Sequence, residues 1–149
     1  MKSVIQRVSS ASVQVNNKII SAIQSGYLIL LGIEKNDDQT DIDYLVRKTI
    51  NIRIFEDSEK KMNSSIKDIK GMILVVSQFT LCSNTKKGNR PSFINAAEPK
   101  FANHMYQQYC KQLEFNKIKV KQGVFGANMQ ISLVNDGPVT IILDSNIKS

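Results

Sequence analysis

Histidine is nearly absent from this 149-residue chain, and the absence removes several catalytic designs at once. Every Ser-His-Asp or Cys-His scheme would have to use the single His104. That residue falls between the apolar positions of a helical stretch, beside Asn103, which marks it as a helix-surface residue. Cysteine is almost as scarce. Cys82 and Cys110 stand 28 positions apart, without the short spacing of a metal knuckle or a redox pair, and both read as free thiols. One histidine and two scattered cysteines offer no set of three or four ligands for zinc. No Walker A or dinucleotide fingerprint occurs, and Gly123-Val124-Phe125-Gly126 is too short and opens no helix. No apolar run approaches the roughly 20 residues of a membrane span. The opening Met1-Lys2-Ser3-Val4-Ile5-Gln6-Arg7-Val8 alternates like a strand and lacks the apolar run of a signal peptide. The expectation is a cytoplasmic chain with neither metal nor cofactor and no membrane partner.

What is present suits one globular domain over residues 1–149, with 42% hydrophobic and 22% charged residues. Twenty basic against thirteen acidic residues leave a net charge of +7. Such a surface favours a polyanionic partner such as RNA, DNA or a nucleotide, and a merely lysine-rich background explains it equally well.

Alternating apolar residues predict strands near 2–8, 12–15, 18–23 and 26–33, with Asn16-Asn17 as a turn. A helix is predicted over 40–52, with Thr40 and Asp43 as a capping box and Ile42, Leu45, Val46, Thr49 and Ile50 at helical spacing. A short strand is expected at 53–55 and a polar turn at 64–69. Residues 71–81 form a nearly continuous apolar run, as in a central strand buried on both faces. A second helix is predicted over 99–115, with Phe101, Ala102, Met105, Tyr106, Tyr109 and Leu113 as its apolar stripe. Strands at about 117–125, 128–135 and 139–144 close the chain. The fold class is therefore α+β: a mainly antiparallel, barrel-like sheet with two covering helices.

Four segments carry polar or backbone features that a plain core does not need. Ser77-Gln78-Phe79-Thr80-Leu81 ends the buried run. Alternation would put Ser77, Phe79 and Leu81 on one face and Gln78 with Thr80 on the other. Thr80 is a nucleophile or a hydrogen-bond donor there, or these groups simply satisfy one another. Lys86-Lys87-Gly88-Asn89-Arg90 is a basic loop able to follow a phosphate backbone, or a solvated charge run. Phe125, within the small-residue run Gly123-Val124-Phe125-Gly126-Ala127, suits base stacking, or a core position beside a bulge. Asp136-Gly137-Pro138 reads as a hairpin tip: Gly137 brings no side chain and Pro138 removes a ladder donor from the returning strand. That tip is a plain turn or a recognition element built from backbone.

Together with Gln6-Arg7-Val8, Thr85-Lys86-Lys87-Gly88-Asn89-Arg90-Pro91 and Asn135-Asp136-Gly137-Pro138-Val139-Thr140, these segments resemble the D-aminoacyl-tRNA deacylase family in order and spacing across essentially the whole chain. The polar tail at 146–149 touches none of them. The resemblance implies a homodimeric hydrolase that cleaves the ester of a D-amino acid on tRNA, with glycyl-tRNA as a further substrate. It implies a cis Gly137–Pro138 pair entering the partner's active site and rejecting L residues, with Arg7 holding that motif. Phe79, Phe125 and Met129, beside Ser77, would line a pocket for the terminal adenosine. Thr80 and Gln78 would sit by the scissile carbonyl, and Lys86, Lys87 and Arg90 near tRNA phosphates. A non-catalytic RNA-binding module using the basic loop and Phe125 is the alternative.

Overall fold

The computed structural model describes residues 1–147; Lys148 and Ser149, the end of the polar tail, lie outside them. Strand β1 (Lys2–Val15) is the spine of the sheet. Its first half pairs antiparallel with β3 (Gly26–Gly32), and its second half with β2 (Lys18–Ile23). Its other edge is covered along its length by β8 (Gln130–Asp144). Beyond β3 come β6 (Met72–Ser77) and β7 (Lys119–Gln122), both parallel to their neighbours. The sheet is thus mixed, with its antiparallel part gathered around β1. Parallel neighbours need crossovers, and α1 (Gln39–Asn51) and α2 (Pro99–Phe115) supply them. A short hairpin of β4 (Phe55–Glu56) and β5 (Met62–Ser64) lies between α1 and β6. β2 curls toward β7, where the Ser21 hydroxyl donates to the Gln122 carbonyl at 2.5 Å, and the sheet nearly closes into a barrel.

Two expected strand pairs are single strands. Residues 2–8 and 12–15 join because Ser9 is an extra residue in β1: Val8 faces Asn135 and Ser10 faces Val134. The break at Gly137-Pro138 is likewise no hairpin tip. Gln6 faces Thr140 and Val8 faces Asn135, so the four residues 136–139 bulge out opposite Arg7 alone. Pro138 has no N–H to give a ladder, and at the crest of a bulge none is required of it.

Both helices lie on one face of the sheet. Tyr27, Ile29, Ile73 and Val75 meet Leu45, Val46, Tyr106 and Tyr109 there in one buried cluster. The opposite face folds on itself around Val8, Val13, Ile23, Leu28 and Leu74. α1 is capped two residues earlier than its sequence suggested. Asp38 accepts from the Thr40 amide at 2.7 Å, and Asp41 returns the contact to the Asp38 amide at 2.8 Å. Asp43 instead ties the helices together, accepting from Gln112 on α2 at 2.9 Å. α2 spans the predicted residues, with Pro99 in its first turn. Its buried stripe takes Cys110 in place of Phe101, which stays 39% exposed. His104 is exposed on the same helix.

Candidate active site

The apolar run of β6 stops being a strand at Ser77. Gln78 makes the last ladder contact, its amide donating to the Leu31 carbonyl at 2.8 Å. The chain then winds into a 3-10 turn over Phe79–Cys82, so the expected strand face shared by Ser77, Phe79 and Leu81 does not form. Gly32 at the end of β3 explains the switch. A Cβ there would lie 2.9 Å from Leu81 Cβ and 3.1 Å from the Gln78 carbonyl oxygen, so only glycine admits the turn so close. Cys82 is drawn inside, with its thiol 3.5 Å from the Ile33 carbonyl. Gln78 and Thr80 nevertheless meet, because the turn brings the Gln78 amide 2.5 Å from the Thr80 hydroxyl. A 3-10 turn leaves its first N–H groups without acceptors inside the turn. Those of Phe79 and Thr80 are therefore available at the surface, beside an exposed hydroxyl.

Beside this turn is a cavity of about 310 Å³ with walls from Leu31, Ile33, Ser77, Phe79, Ala96, Ala97, Pro99, Ala102, Phe125 and Gly126. Its lining is apolar apart from Ser77, which suits a planar or hydrocarbon group. Phe79 is 56% exposed and meets Phe93 edge-on at 5.0 Å between ring centroids. Phe125 leans on Tyr106 at 5.9 Å, and Tyr106 is fixed by donating its hydroxyl proton to the Val75 carbonyl at 2.7 Å. Burial holds that phenol far above its usual pKa, so it remains a donor. The three alanines and Phe93 were not anticipated. An alanine carries no chemical signal, and here its smallness is what makes the space.

The usual reactive groups are missing from this rim. Burial, aided by the Glu34 charge, pushes the Cys82 thiol up to about 11. Burial pushes Cys110 to about 12, so neither is a thiolate at neutral pH. Among the described residues no cluster of His, Cys, Asp and Glu is arranged to hold a metal ion. What the turn offers is backbone N–H groups, a hydroxyl and an amide, a set able to orient water and stabilise an oxyanion.

The basic loop continues directly from the turn. Asn84 and Ser92 exchange backbone hydrogen bonds at 2.8 and 2.9 Å across its base, and the Lys86 amide donates to the Asn84 side chain at 2.9 Å. Lys86, Lys87 and Arg90 are all exposed, and none belongs to an ion pair among the described residues.

The remaining sequence-predicted residues lie elsewhere in the chain. Gly137 and Pro138 crest the β8 bulge, exposed, with a cis peptide between them, and line no part of the cavity. Beneath them the Arg7 guanidinium is buried. Its Nε donates to the Asp136 carbonyl at 2.8 Å and its Nη1 to the Ile54 carbonyl at 2.5 Å. Asn135 grips the other side: its side-chain oxygen accepts from the Val139 amide at 2.7 Å, and its amide donates to the Val139 carbonyl at 3.2 Å. Asn135 was legible only as part of a motif; its clamp depends on a bulge that local pattern does not reveal. Met129 belongs to the second core, with its sulfur over Gly123, and does not line the cavity. One chain therefore brings Ser77, Gln78, Phe79, Thr80 and Phe125 together and keeps Arg7, Gly137 and Pro138 apart from them.

Comparison with known proteins adds a consistent set of relatives. A family model described as D-Tyr-tRNA(Tyr) deacylase matches residues 4–144. A D-aminoacyl-tRNA deacylase of Flavobacterium psychrophilum is 58% identical over 149 residues, covering 99% of this chain and 99% of its own length. Among solved structures, one described as c-Myc DNA Unwinding Element Binding Protein matches with a TM-score of 0.91 at 44% identity, over 97% of this chain and 98% of the other. A second, described as a probable eukaryotic D-amino acid tRNA deacylase, matches with a TM-score of 0.80 at 19% identity, over 95% and 97%, and speaks for the fold.

Proposed function

The chain belongs to the D-Tyr-tRNA(Tyr) deacylase family and is a deacylase, and from that premise we propose how it selects and hydrolyses its substrate. The substrate is tRNA esterified with a D-amino acid. The observation that supports the mechanism is the separation, within one chain, of the cavity and its turn from the Gly137-Pro138 crest. The cavity is lined by apolar side chains and Ser77, and the exposed Gly137-Pro138 crest forms no part of its wall. A second copy of the chain reconciles them, its crest entering this copy's cavity and completing the site in a homodimer.

The division of labour follows from the groups present. Phe79 and Phe125 receive the terminal adenosine, with Ser77 at its edge. Backbone carbonyls of Gly137 and Pro138 take the α-amino group and leave no volume on the side where an L residue would carry its side chain. Glycine, with no side chain, passes the same test, so mischarged glycyl-tRNA is a substrate too. Rejecting L residues is the economical design, because L-aminoacyl-tRNA is in vast excess and a steric barrier is independent of side-chain identity.

An aminoacyl ester is already activated, so the chemistry asks little. Water adds to the carbonyl carbon, and the charge arriving on the carbonyl oxygen meets the N–H groups at the start of the 3-10 turn. One such donor is commonly worth about 10²–10³ in rate. The ribose 2′-hydroxyl lies next to the ester and assists proton transfer, with Thr80 and Gln78 positioning rather than attacking. Collapse expels the tRNA 3′-oxygen and frees the D-amino acid. Lys86, Lys87 and Arg90 meet phosphates near the 3′ end. The compartment is the cytoplasm, in keeping with a chain in which no described helix is long and apolar enough to cross a membrane.

The test is hydrolysis of D-Tyr-tRNA and L-Tyr-tRNA side by side. Fast release from the D ester alone is expected. Equal rates would remove the chiral reading. Salt-sensitive RNA binding with no hydrolysis of either would favour the non-catalytic RNA-binding module instead.

A further inference from the structure

We propose that a second basic surface, at the far end of the sheet from the cavity, holds the phosphate backbone of the RNA whose 3′ end is being hydrolysed; this rests on the deacylase reading above. The surface is a cleft of about 460 Å³ between the turn that precedes β6, the end of α2 and the start of β7. Lys67, Lys70, Lys117 and Lys119 line it over a floor of Ile66 and Ile118. None of the four lysines takes part in an ion pair among the described residues.

Two of these lysines occupy positions where glycine would be easier. Lys70 has φ of 52° and Lys117 of 67°, both left-handed. Lys117 ends α2 in a Schellman-like closure. Its own amide donates to the Glu114 carbonyl at 2.9 Å, and that of Ile118 to Leu113 at 3.2 Å. The turn before β6 repeats the pattern, with Lys70 donating to Lys67 at 3.1 Å and Gly71 to Ile66 at 3.0 Å. A cation at a helix C-terminus complements the helix dipole, which accounts for Lys117. An exposed lysine on an edge strand guards against aggregation, which accounts for Lys119. Neither reason accounts for Lys67 and Lys70, or for four uncompensated ammonium groups around one concavity.

Strand β7 links the cleft to the cavity along the chain. β7 leaves it carrying Lys119 and Lys121 on its exposed face, with Val120 turned toward the helices, and leads directly to Phe125 and Gly126 in the cavity wall. At about 3.3 Å per residue the three steps of β7 from Lys119 to Gln122 span roughly 10 Å. A nucleic-acid duplex presents about one phosphate charge per 1.7 Å of axis, so about six phosphates fall within that reach. A concavity ringed by four lysines, one strand away from an apolar cavity, fits RNA held by its backbone and read at its end.

The test uses the full chain with Lys67→Gln, Lys70→Gly, Lys117→Gly and Lys119→Gln together. The two glycines suit the left-handed backbone they replace. Uncharged tRNA should bind about tenfold more weakly at physiological salt, and the slope of log affinity against log salt should become shallower by about 3. KM for D-Tyr-tRNA should rise in parallel with kcat unchanged. Hydrolysis of D-tyrosyl-adenosine, which has no RNA body, should not change. The pair Lys67→Gln with Lys119→Gln is a milder variant expected to show about half the slope change. Unaltered tRNA affinity and slope, or an equal loss with D-tyrosyl-adenosine, would overturn the proposal. So would loss of binding to phosphatidylserine vesicles with tRNA binding intact. If the wild-type chain hydrolyses neither ester, the deacylase reading falls, while the tRNA-binding comparison still decides the cleft.

Discussion

Arg7 is where fold and proposed function are most tightly joined, and replacing it with methionine separates the two. The guanidinium is buried, and no carboxylate lies within ion-pair distance of it among the described residues. Its partners are the carbonyls of Asp136 and Ile54. Hydrogen bonds from a charged donor contribute about 1.5–3 kcal/mol each, and each carbonyl left unpaired costs about 1–3 kcal/mol. Methionine keeps most of the volume and no longer has to bury a cation, which offsets part of the loss. The net cost should be about 2–4 kcal/mol. For a chain of this length each kcal/mol lowers the unfolding midpoint by about 2–4 °C, so the midpoint should fall by roughly 5–15 °C. Calorimetry or urea titration measures this directly. The functional effect should be larger than the loss of folded protein explains. The Asp136 carbonyl is one peptide from Gly137, and a 1 Å displacement of a positioning element can cost about 10²-fold. Measured well below the midpoint, kcat/KM for D-Tyr-tRNA should drop about 10²-fold, and Arg7→Lys, which reaches one carbonyl at a time, should lie between. Two results would refute the reasoning. An unchanged midpoint would mean the two hydrogen bonds contribute little. A lowered midpoint with unchanged kcat/KM would take the bulge out of the active site.

Thr80→Ala should leave stability within about 0.5 kcal/mol and reduce kcat less than tenfold, since Thr80 is exposed and only bonds Gln78; a loss of about 10⁴-fold would make Thr80 a nucleophile. Gly137→Ala places a Cβ 2.7 Å from Val139 Cγ2 and 3.0 Å from Arg7 Nη2 at a φ of +145°. It should destabilise by about 2–4 kcal/mol and impair D-ester hydrolysis, and unchanged kinetics on both enantiomers would remove Gly137 from the site. Acid should weaken the fold. Hydrogen bonds hold Asp38, Asp43, Asp57 and Asp68 below the usual carboxylate range. Their folded pKa values are depressed, so the stability they add is present above about pH 4 and is lost as pH falls through the folded values. Asp37 opposes them, raised by burial despite its contact with the Met1 ammonium at 2.6 Å. The urea midpoint should be lower at pH 3 than at pH 7; equal midpoints would mean these hydrogen bonds persist in the unfolded chain or are too weak to matter.

The helices were the most legible parts of the fold. α2 announces itself through Pro99 and an apolar stripe at helical spacing, and it forms over the predicted residues. Its one misplaced member, Phe101, is apolar without being inward. Thr40 with Asp43 has the spacing of a capping box, but the box forms two residues earlier from Asp38 and Asp41, a choice the spacing alone does not make. The strands were harder, since alternation fails at a bulge just as it fails at a turn. Whether β8 reverses at Gly137 or continues is decided by what it pairs with, and its partner lies some 130 residues earlier. The polar part of the site could be read because Gln78 and Thr80 are unusual at the end of an apolar run. The turn holding them could not, since it depends on the missing side chain of Gly32 on another strand.

β8 is laddered to β1 on both sides of the Gly137-Pro138 crest, and this restricts how the gene can change length. Inserting or deleting one residue in either flank would turn that flank's inward side chains outward and detach the crest from Arg7. The loop at residues 83–91 meets the rest of the chain mainly through the Asn84–Ser92 pair at its base, so it can lengthen or shorten with little cost. Folding therefore leaves the span of the basic loop open to change, and only its proposed contact with phosphates restrains it, while the spacing that fixes the crest is held by the ladder itself.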